Sequence, residues 1–61
     1  MFGDKKQEAT EYVIKEGYQD IIYLNKNGEW YHFQVRSFWR GKHIIKVKDG
    51  LFGWRKELVA E

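Results

Sequence analysis

The chain has 61 residues, of which 43% are hydrophobic and 18% aromatic, and its formal net charge is +2. This composition is too apolar for a disordered chain, and the length leaves room for only one small domain, residues 1–61. No apolar run approaches the roughly 20 residues of a transmembrane helix, and the first 17 residues show no secretory pattern. We therefore expect a soluble, cytoplasmic protein that makes no use of a membrane.

The first predicted element is a helix over residues 4–16, DKKQEATEYVIKE. Asp4 is a suitable N-cap, three apolar residues follow at helical spacing, and Gly17 stands where a helix C-cap favours glycine. The competing interpretation is a strand over residues 10–14, because TEYVI is rich in β-prone residues.

Two strands follow, near residues 19–26 and 29–39, joined by Asn27 and Gly28. This dipeptide suits the positive φ angles of a type I′ turn and predicts a two-residue loop at positions 27 and 28. Side chains alternate between the faces of a strand, so this loop also fixes the cross-strand pairs. The predicted pairs are Leu24 with Tyr31, Ile22 with Phe33, and Asp20 with Val35.

A third strand is predicted near residues 43–48, after a loop at residues 40–42. A register that keeps the apolar side chains on one face completes a three-stranded antiparallel meander. The predicted pairs are Val47 with Val35, Ile45 with Ser37, Lys46 with Arg36, and Lys48 with Gln34. The Lys46 and Arg36 pair brings like charges together, which costs a few tenths of a kcal/mol.

The tail, DGLFGWRKELVAE, has two interpretations. As a helix over residues 51–60 capped by Asp49, it places Leu51, Trp54 and Leu58 on one side. The expected fold is then α+β, with an N-terminal helix, the three-stranded meander and a C-terminal helix. In the extended alternative, GLFGW…LV resembles the closing segment of SH3-like barrels. That resemblance implies a small SH3-like β-barrel with an N-terminal helix.

The predicted meander has two different faces. One face is apolar and predicts the core, with Tyr31, Phe33, Val35, Ile45 and Val47. The other face mixes aromatic rings with cations, and the basic residues concentrate in the same part of the chain. Up to Glu29 four lysines stand against six acids, whereas from Trp30 onward seven Lys or Arg stand against three acids.

Aromatic rings stack with bases, and neighbouring Lys or Arg residues neutralise phosphates. The mixed face, together with the basic loop at residues 40–42, therefore predicts DNA or RNA binding. The alternative is a protein-interaction module, such as an accessory or inhibitory factor, because Trp, Tyr and Arg are also enriched at protein interfaces. We expect a monomer, or a weak homodimer paired through the exposed edge of the third strand. The predicted nucleic-acid-binding residues are Tyr23, Trp30, His32, Arg36, Phe38, Arg40, Lys42, Lys46 and Lys48.

Catalytic and metal chemistry find little support. Cysteine is absent, and Ser37 is predicted among apolar neighbours with no base beside it. His32 and His43 are predicted on opposite faces of the sheet, so they cannot share a metal. We expect neither an enzyme nor a bound cofactor or metal.

Overall fold

The computed structural model describes residues 5–60 as one helix followed by four antiparallel strands. The strands form a single sheet in the order β1-β2-β3-β4. The elements are α1 at Lys6–Lys15, β1 at Gln19–Asn27, β2 at Trp30–Ser37, β3 at Gly41–Gly50 and β4 at Gly53–Ala60. The predicted fold of three strands and a C-terminal helix is therefore wrong in its last element. The SH3-like alternative is compatible with this strand content.

The N-terminal helix is confirmed, and so is the role of glycine at its end. Gly17 has a φ of +98°, the left-handed conformation that glycine adopts without strain. The Gly17 N–H donates to the Ile14 carbonyl at 3.0 Å and the Tyr18 N–H to the Val13 carbonyl at 3.5 Å. These two bonds form a Schellman motif, which satisfies carbonyls that the helix end would leave unpaired. The predicted N-cap, Asp4, lies outside the described residues.

The core lies between α1 and one face of the sheet. Ala9 and Val13 of the helix are fully buried, as is Phe33 at the centre of β2. The residues predicted to form the core are all buried, namely Tyr31, Phe33, Val35, Ile45 and Val47. Ser37 is also buried on this face, where its Oγ accepts a hydrogen bond from the Arg40 N–H at 3.1 Å. The two-face interpretation of β2 and β3 is therefore confirmed.

The register of the first hairpin differs from the prediction. Asn27 pairs with Trp30, so the turn residues are Gly28 and Glu29. Of these turn residues only Gly28 has a positive φ, +66°, which fits a turn with glycine at its first central position rather than a type I′ turn. Tyr23 consequently pairs with Phe33 on the helix side.

The predicted pairs of Ile22 and Leu24 are thus wrong, whereas Gln19 pairs with Arg36, as the predicted register requires. Ile22 pairs with Gln34 rather than with Phe33, and Lys26 takes the place of Leu24 opposite Tyr31. An irregularity between Tyr23 and Asn25 makes Leu24 an extra residue in β1.

The second hairpin turns two residues earlier than predicted. Ser37 pairs with Gly41, whose φ is +85°, and Phe38, Trp39 and Arg40 form the turn. Val47 therefore pairs with Tyr31 instead of Val35, and Ile45 with Phe33 instead of Ser37. The shift is an even number of residues, so every β3 side chain stays on its predicted face.

The tail forms β4 rather than a helix. Gly50 pairs with Gly53, which has a φ of +120° that an α-helix does not allow. As a strand, the tail pairs along β3 and sends Trp54 to the helix side of the sheet. There the Trp54 ring stacks on Tyr12, with centroids 5.9 Å apart, and meets the Tyr31 ring edge-on at 6.3 Å.

Lys56 joins β4 to the end of α1. Its Nζ donates to Glu16 Oε1 at 3.0 Å and lies 5.0 Å from the centre of the Tyr18 ring. Burial opposes the charge, but the bonds to Glu16 and Tyr18 outweigh it and raise the pKa of Lys56 above its ordinary 10.5.

Within residues 5–60, the structure contains no helix with the length and hydropathy needed to cross a membrane.

Two phenylalanines provide a matched test of the core. Phe33 is 0% exposed and Phe52 is 99% exposed. We expect Phe33→Ala to lower the free energy of unfolding by about 3–5 kcal/mol, because it leaves a cavity in the core. Phe52→Ala should change it by less than about 0.5 kcal/mol. Guanidinium unfolding followed by circular dichroism measures both, and equal losses would contradict the assignment of Phe33 to the core.

We expect stability to fall at alkaline pH. The raised pKa of Lys56 means that its stabilising charge is fully present below pH 10.5 and lost as pH rises through the folded-state value. Burial of the Tyr12 phenol raises its pKa above 10.0, which acts in the same direction. Melting temperatures between about pH 9 and pH 12 should drop less steeply for Lys56→Gln and for Tyr12→Phe than for the parent protein. Parallel curves for all three proteins would contradict this assignment.

Candidate functional site

The face of the sheet that points away from α1 is uncovered. The helix packs on the side of Phe33 and Val35, and the tail extends the sheet at its edge instead of crossing it. None of residues 5–60 therefore lies over the opposite side, which we call the open face. A second small core of Trp30, Phe38 and Ile44 beneath a terminal segment is not formed by the described residues, and Phe38 is 97% exposed.

The open face is organised in cross-strand rows. One row pairs Arg36 with Lys42, and another places Lys46 between His32 and Glu57. Lys48 lies opposite Arg55 in the row nearest the β3–β4 turn. The cations of the open face are Arg36, Lys42, Lys46, Lys48 and Arg55.

Trp30 is the first residue of β2, at the opposite end of the strand from the Arg36 and Lys42 pair, and is partly buried. The Lys46 ammonium is 4.5 Å from the centre of its ring and the Lys48 ammonium is 5.0 Å away. Both lysines are held by cation–π attraction, because the face of an indole carries negative electrostatic potential. Two positive charges thus lie against one aromatic ring, and we call Trp30, Lys46 and Lys48 the Trp30 cluster.

Three acids border this region. Asp20 accepts a hydrogen bond from Arg36 Nε at 2.6 Å, and its positive φ of 49° is one that Asp tolerates. Glu57 and Glu29 lie farther from their partners, each 3.8 Å from a lysine of the Trp30 cluster. The side chain of Glu29 is 80% exposed, so its pairing with Lys48 is strongly screened by solvent.

Two cations of the open face have no such partner. Lys42 and Arg55 form no ion pair within the part of the chain that the structure describes. The Arg55 side chain extends towards Gly50, where its Cδ lies 3.4 Å from the position a Cβ would take. These two cations therefore remain available to an anion.

Six of the nine predicted site residues lie on the open face, and the structure brings them together as one surface. They are Trp30, His32, Arg36, Lys42, Lys46 and Lys48. The other three lie elsewhere. Tyr23 is on the helix side, where Lys6 lies over its ring, and Phe38 and Arg40 belong to the β2–β3 turn.

The predicted repulsion between Arg36 and Lys46 is wrong. Arg36 pairs with Lys42 in the sheet and bonds to Asp20, whereas Lys46 lies opposite His32. The relation between the histidines is as predicted, since His43 is buried on the helix side. Residues 5–60 contain no cluster of three or more acidic, His or Cys side chains suited to a metal ion.

The sequence prediction missed Arg55 and the β3–β4 turn. Both lie in the tail that was interpreted as a helix, so neither could be assigned to a sheet face. The signal for a strand was that the apolar Trp54 and Leu58 share a period of two with Lys56, while Arg55 and Glu57 occupy the alternate positions. Leu51 and Phe52 form the turn and are 91% and 99% exposed.

Comparison with known proteins gives no relative. No protein-family model matches the chain, and neither a curated protein nor a solved structure matches it. The functional argument therefore rests on the charges and geometry of the open face.

Proposed function

We propose that this protein binds nucleic acid through the open face. The observation that carries the proposal is that α1 and β4 leave this face uncovered, with Lys46 and Lys48 against Trp30 and three further cations along the same face. A flat cationic surface of this kind fits a polyanion better than it fits a small molecule, because it has no enclosing walls.

Phosphate contacts supply most of the binding energy in this proposal. Within one chain Lys42 and Arg55 have no acidic partner among the described residues, so they contact phosphates without breaking an ion pair. Lys46 and Lys48 exchange distant, exposed carboxylates for phosphates at little cost, because exposed ion pairs contribute about 0–1 kcal/mol. Arg36 is held more closely by Asp20 and contributes less.

Trp30 adds a stacking surface for a base. A base that stacks on the indole displaces an ammonium group, and the released lysine then contacts the adjacent phosphate. Stacking tolerates any base, and Trp30 is the one large aromatic side chain that the described strands place on this face. Binding of this kind depends mainly on phosphates and discriminates little between sequences.

The second candidate function is protein binding, and a specific observation favours it. The two hairpin turns at opposite ends of the sheet carry Phe38, which is 97% exposed, and the Leu51 and Phe52 pair. Apolar side chains at such tips are suited to insertion into a partner protein. An apolar interface of that kind responds weakly to salt, whereas phosphate contacts respond steeply.

The proposal is tested by measuring the fluorescence anisotropy of labelled oligonucleotides for every variant, and the tryptophan fluorescence of the parent protein in the same titrations. We expect quenching, with log K falling linearly as log salt rises. Trp30→Ala should weaken single-strand binding by about 1–3 kcal/mol at every salt concentration. Lys42→Ala should reduce the magnitude of the salt slope by about one.

Lys15→Ala is the matched control, because Lys15 is an exposed lysine in the last turn of α1 and away from the open face. It should leave both affinity and salt slope nearly unchanged. Unchanged melting temperatures establish that each variant is folded. If single strands, duplex DNA and RNA all fail to bind at low salt, the nucleic-acid function is rejected in favour of a protein partner.

A further inference from the structure

The two edges of the sheet are unequal. β1 has register irregularities at two places and a positive φ at Asp20, which make its edge a poor template for another strand. β4 pairs regularly with β3 from Gly53 to Leu58, and no described strand lies on its outer side. The third strand, which the sequence analysis placed at an edge, is central because β4 covers it.

We propose that two copies of the chain pair antiparallel through the outer edge of β4, with Lys56 opposite Lys56 of the second copy. A two-fold axis perpendicular to the sheet relates the copies, so the two four-stranded sheets become one sheet of eight strands. Both helices then lie on the same side, and both open faces lie on the other.

The charges of β4 select this register. With the open faces on one side, any residue of β4 can pair with itself across the axis, and the centres that use the middle of the strand are Arg55, Lys56 and Glu57. Centring on Arg55 or on Glu57 places like charges together on the open face. Centring on Lys56 places Arg55 opposite Glu57 of the second copy, and the symmetry makes this favourable pair twice.

The central pair of lysines is neutralised from within each chain. Lys56 donates to Glu16 at 3.0 Å and lies against the Tyr18 ring, so each ammonium already has its counter-charge. The two side chains are drawn towards their own helices and the repulsion between them is reduced.

The helix side of the same register is apolar. Trp54 lies opposite Leu58 of the second copy, again twice by symmetry. Leu58 is 48% exposed in the single chain, and Trp54 is packed on Tyr12 and Tyr31. The contact therefore extends each core by an aliphatic residue from the other copy, in the way aromatic and aliphatic cross-strand pairs stabilise sheets.

The dimer has a consequence for the open face. The two Trp30 clusters lie on one continuous surface, separated by five strand spacings of about 4.8 Å, or about 24 Å in total. Pairing through β4 does not require any ligand on the open face.

Charge reversal tests the pairing in the absence of any nucleic acid. In Arg55→Glu alone and in Glu57→Arg alone, the cross-copy pairs become like-charged, so each variant should dimerise at least about tenfold more weakly than the parent. Mixing the two variants restores opposite charges at both pairs. We expect a heterodimer whose affinity is close to that of the parent homodimer, measured by sedimentation velocity over a concentration series.

The stability of the single chain provides the control. At a concentration at which the parent is monomeric, Arg55→Glu should melt no lower than the parent, because the new carboxylate lies opposite Lys48 within the same chain. A parent chain that stays monomeric at millimolar concentration, or single variants that dimerise as well as the parent, would overturn the proposal. So would a mixture that shows no heterodimer. None of these results bears on nucleic-acid binding, which the salt-dependent titration tests separately.

Discussion

The structure depends on the burial of Phe33 beneath α1. The helix places Ala9 and Val13 against the sheet, and their small size lets the helix backbone approach β1 and β3 on either side of Phe33. A ten-residue helix has one apolar stripe, so it covers one side of the sheet. The asymmetry between a packed face and an open face follows from this single contact.

The edges of the core are closed by aromatic contacts that join distant parts of the chain. Tyr12 and Trp54 stack between helix and tail, while Tyr18 packs against Trp39 and His43 at the other end of the helix. A chain without cysteine has no disulfide to hold its terminal elements, so these rings and the Lys56 bond to Glu16 take that role. β4 is therefore held in two ways, by backbone pairing with β3 and by side-chain contacts with α1.

The open face and the outer edge of β4 are two separate surfaces of the same sheet. Side chains on the open face carry the positive charge, and the edge offers backbone groups with a charge pattern that is complementary to itself. The two proposals are physically compatible, because pairing at the edge leaves Trp30 and its lysines uncovered. Arg55 belongs to both surfaces and is the residue at which dimerisation would alter the cationic face.

Local pattern predicted the helix, its glycine end and the faces of β2 and β3. Each of these depends on the spacing of residues within one element, which is why Phe33 and Val47 were placed in the core and Trp30, His32, Arg36, Lys46 and Lys48 on the opposite face. Local pattern did not determine the registers of the first two hairpins. Asn27 and Gly28 allow more than one turn, and the structure uses the one with positive φ at Gly28 alone.

The sequence by itself determined the two-sided character of the central strands, because alternation along a strand is set by covalent geometry. Only the tertiary structure decided that the tail is β4 and that Arg55 joins the open face. The segment from Gly53 to Ala60 has residues that suit either a helix or a strand, and the unpaired edge of β3 resolves the choice. Strand formation there satisfies the backbone groups of both segments and packs Trp54 on Tyr12. These contacts join residues that are far apart in the sequence, so local pattern does not reveal them.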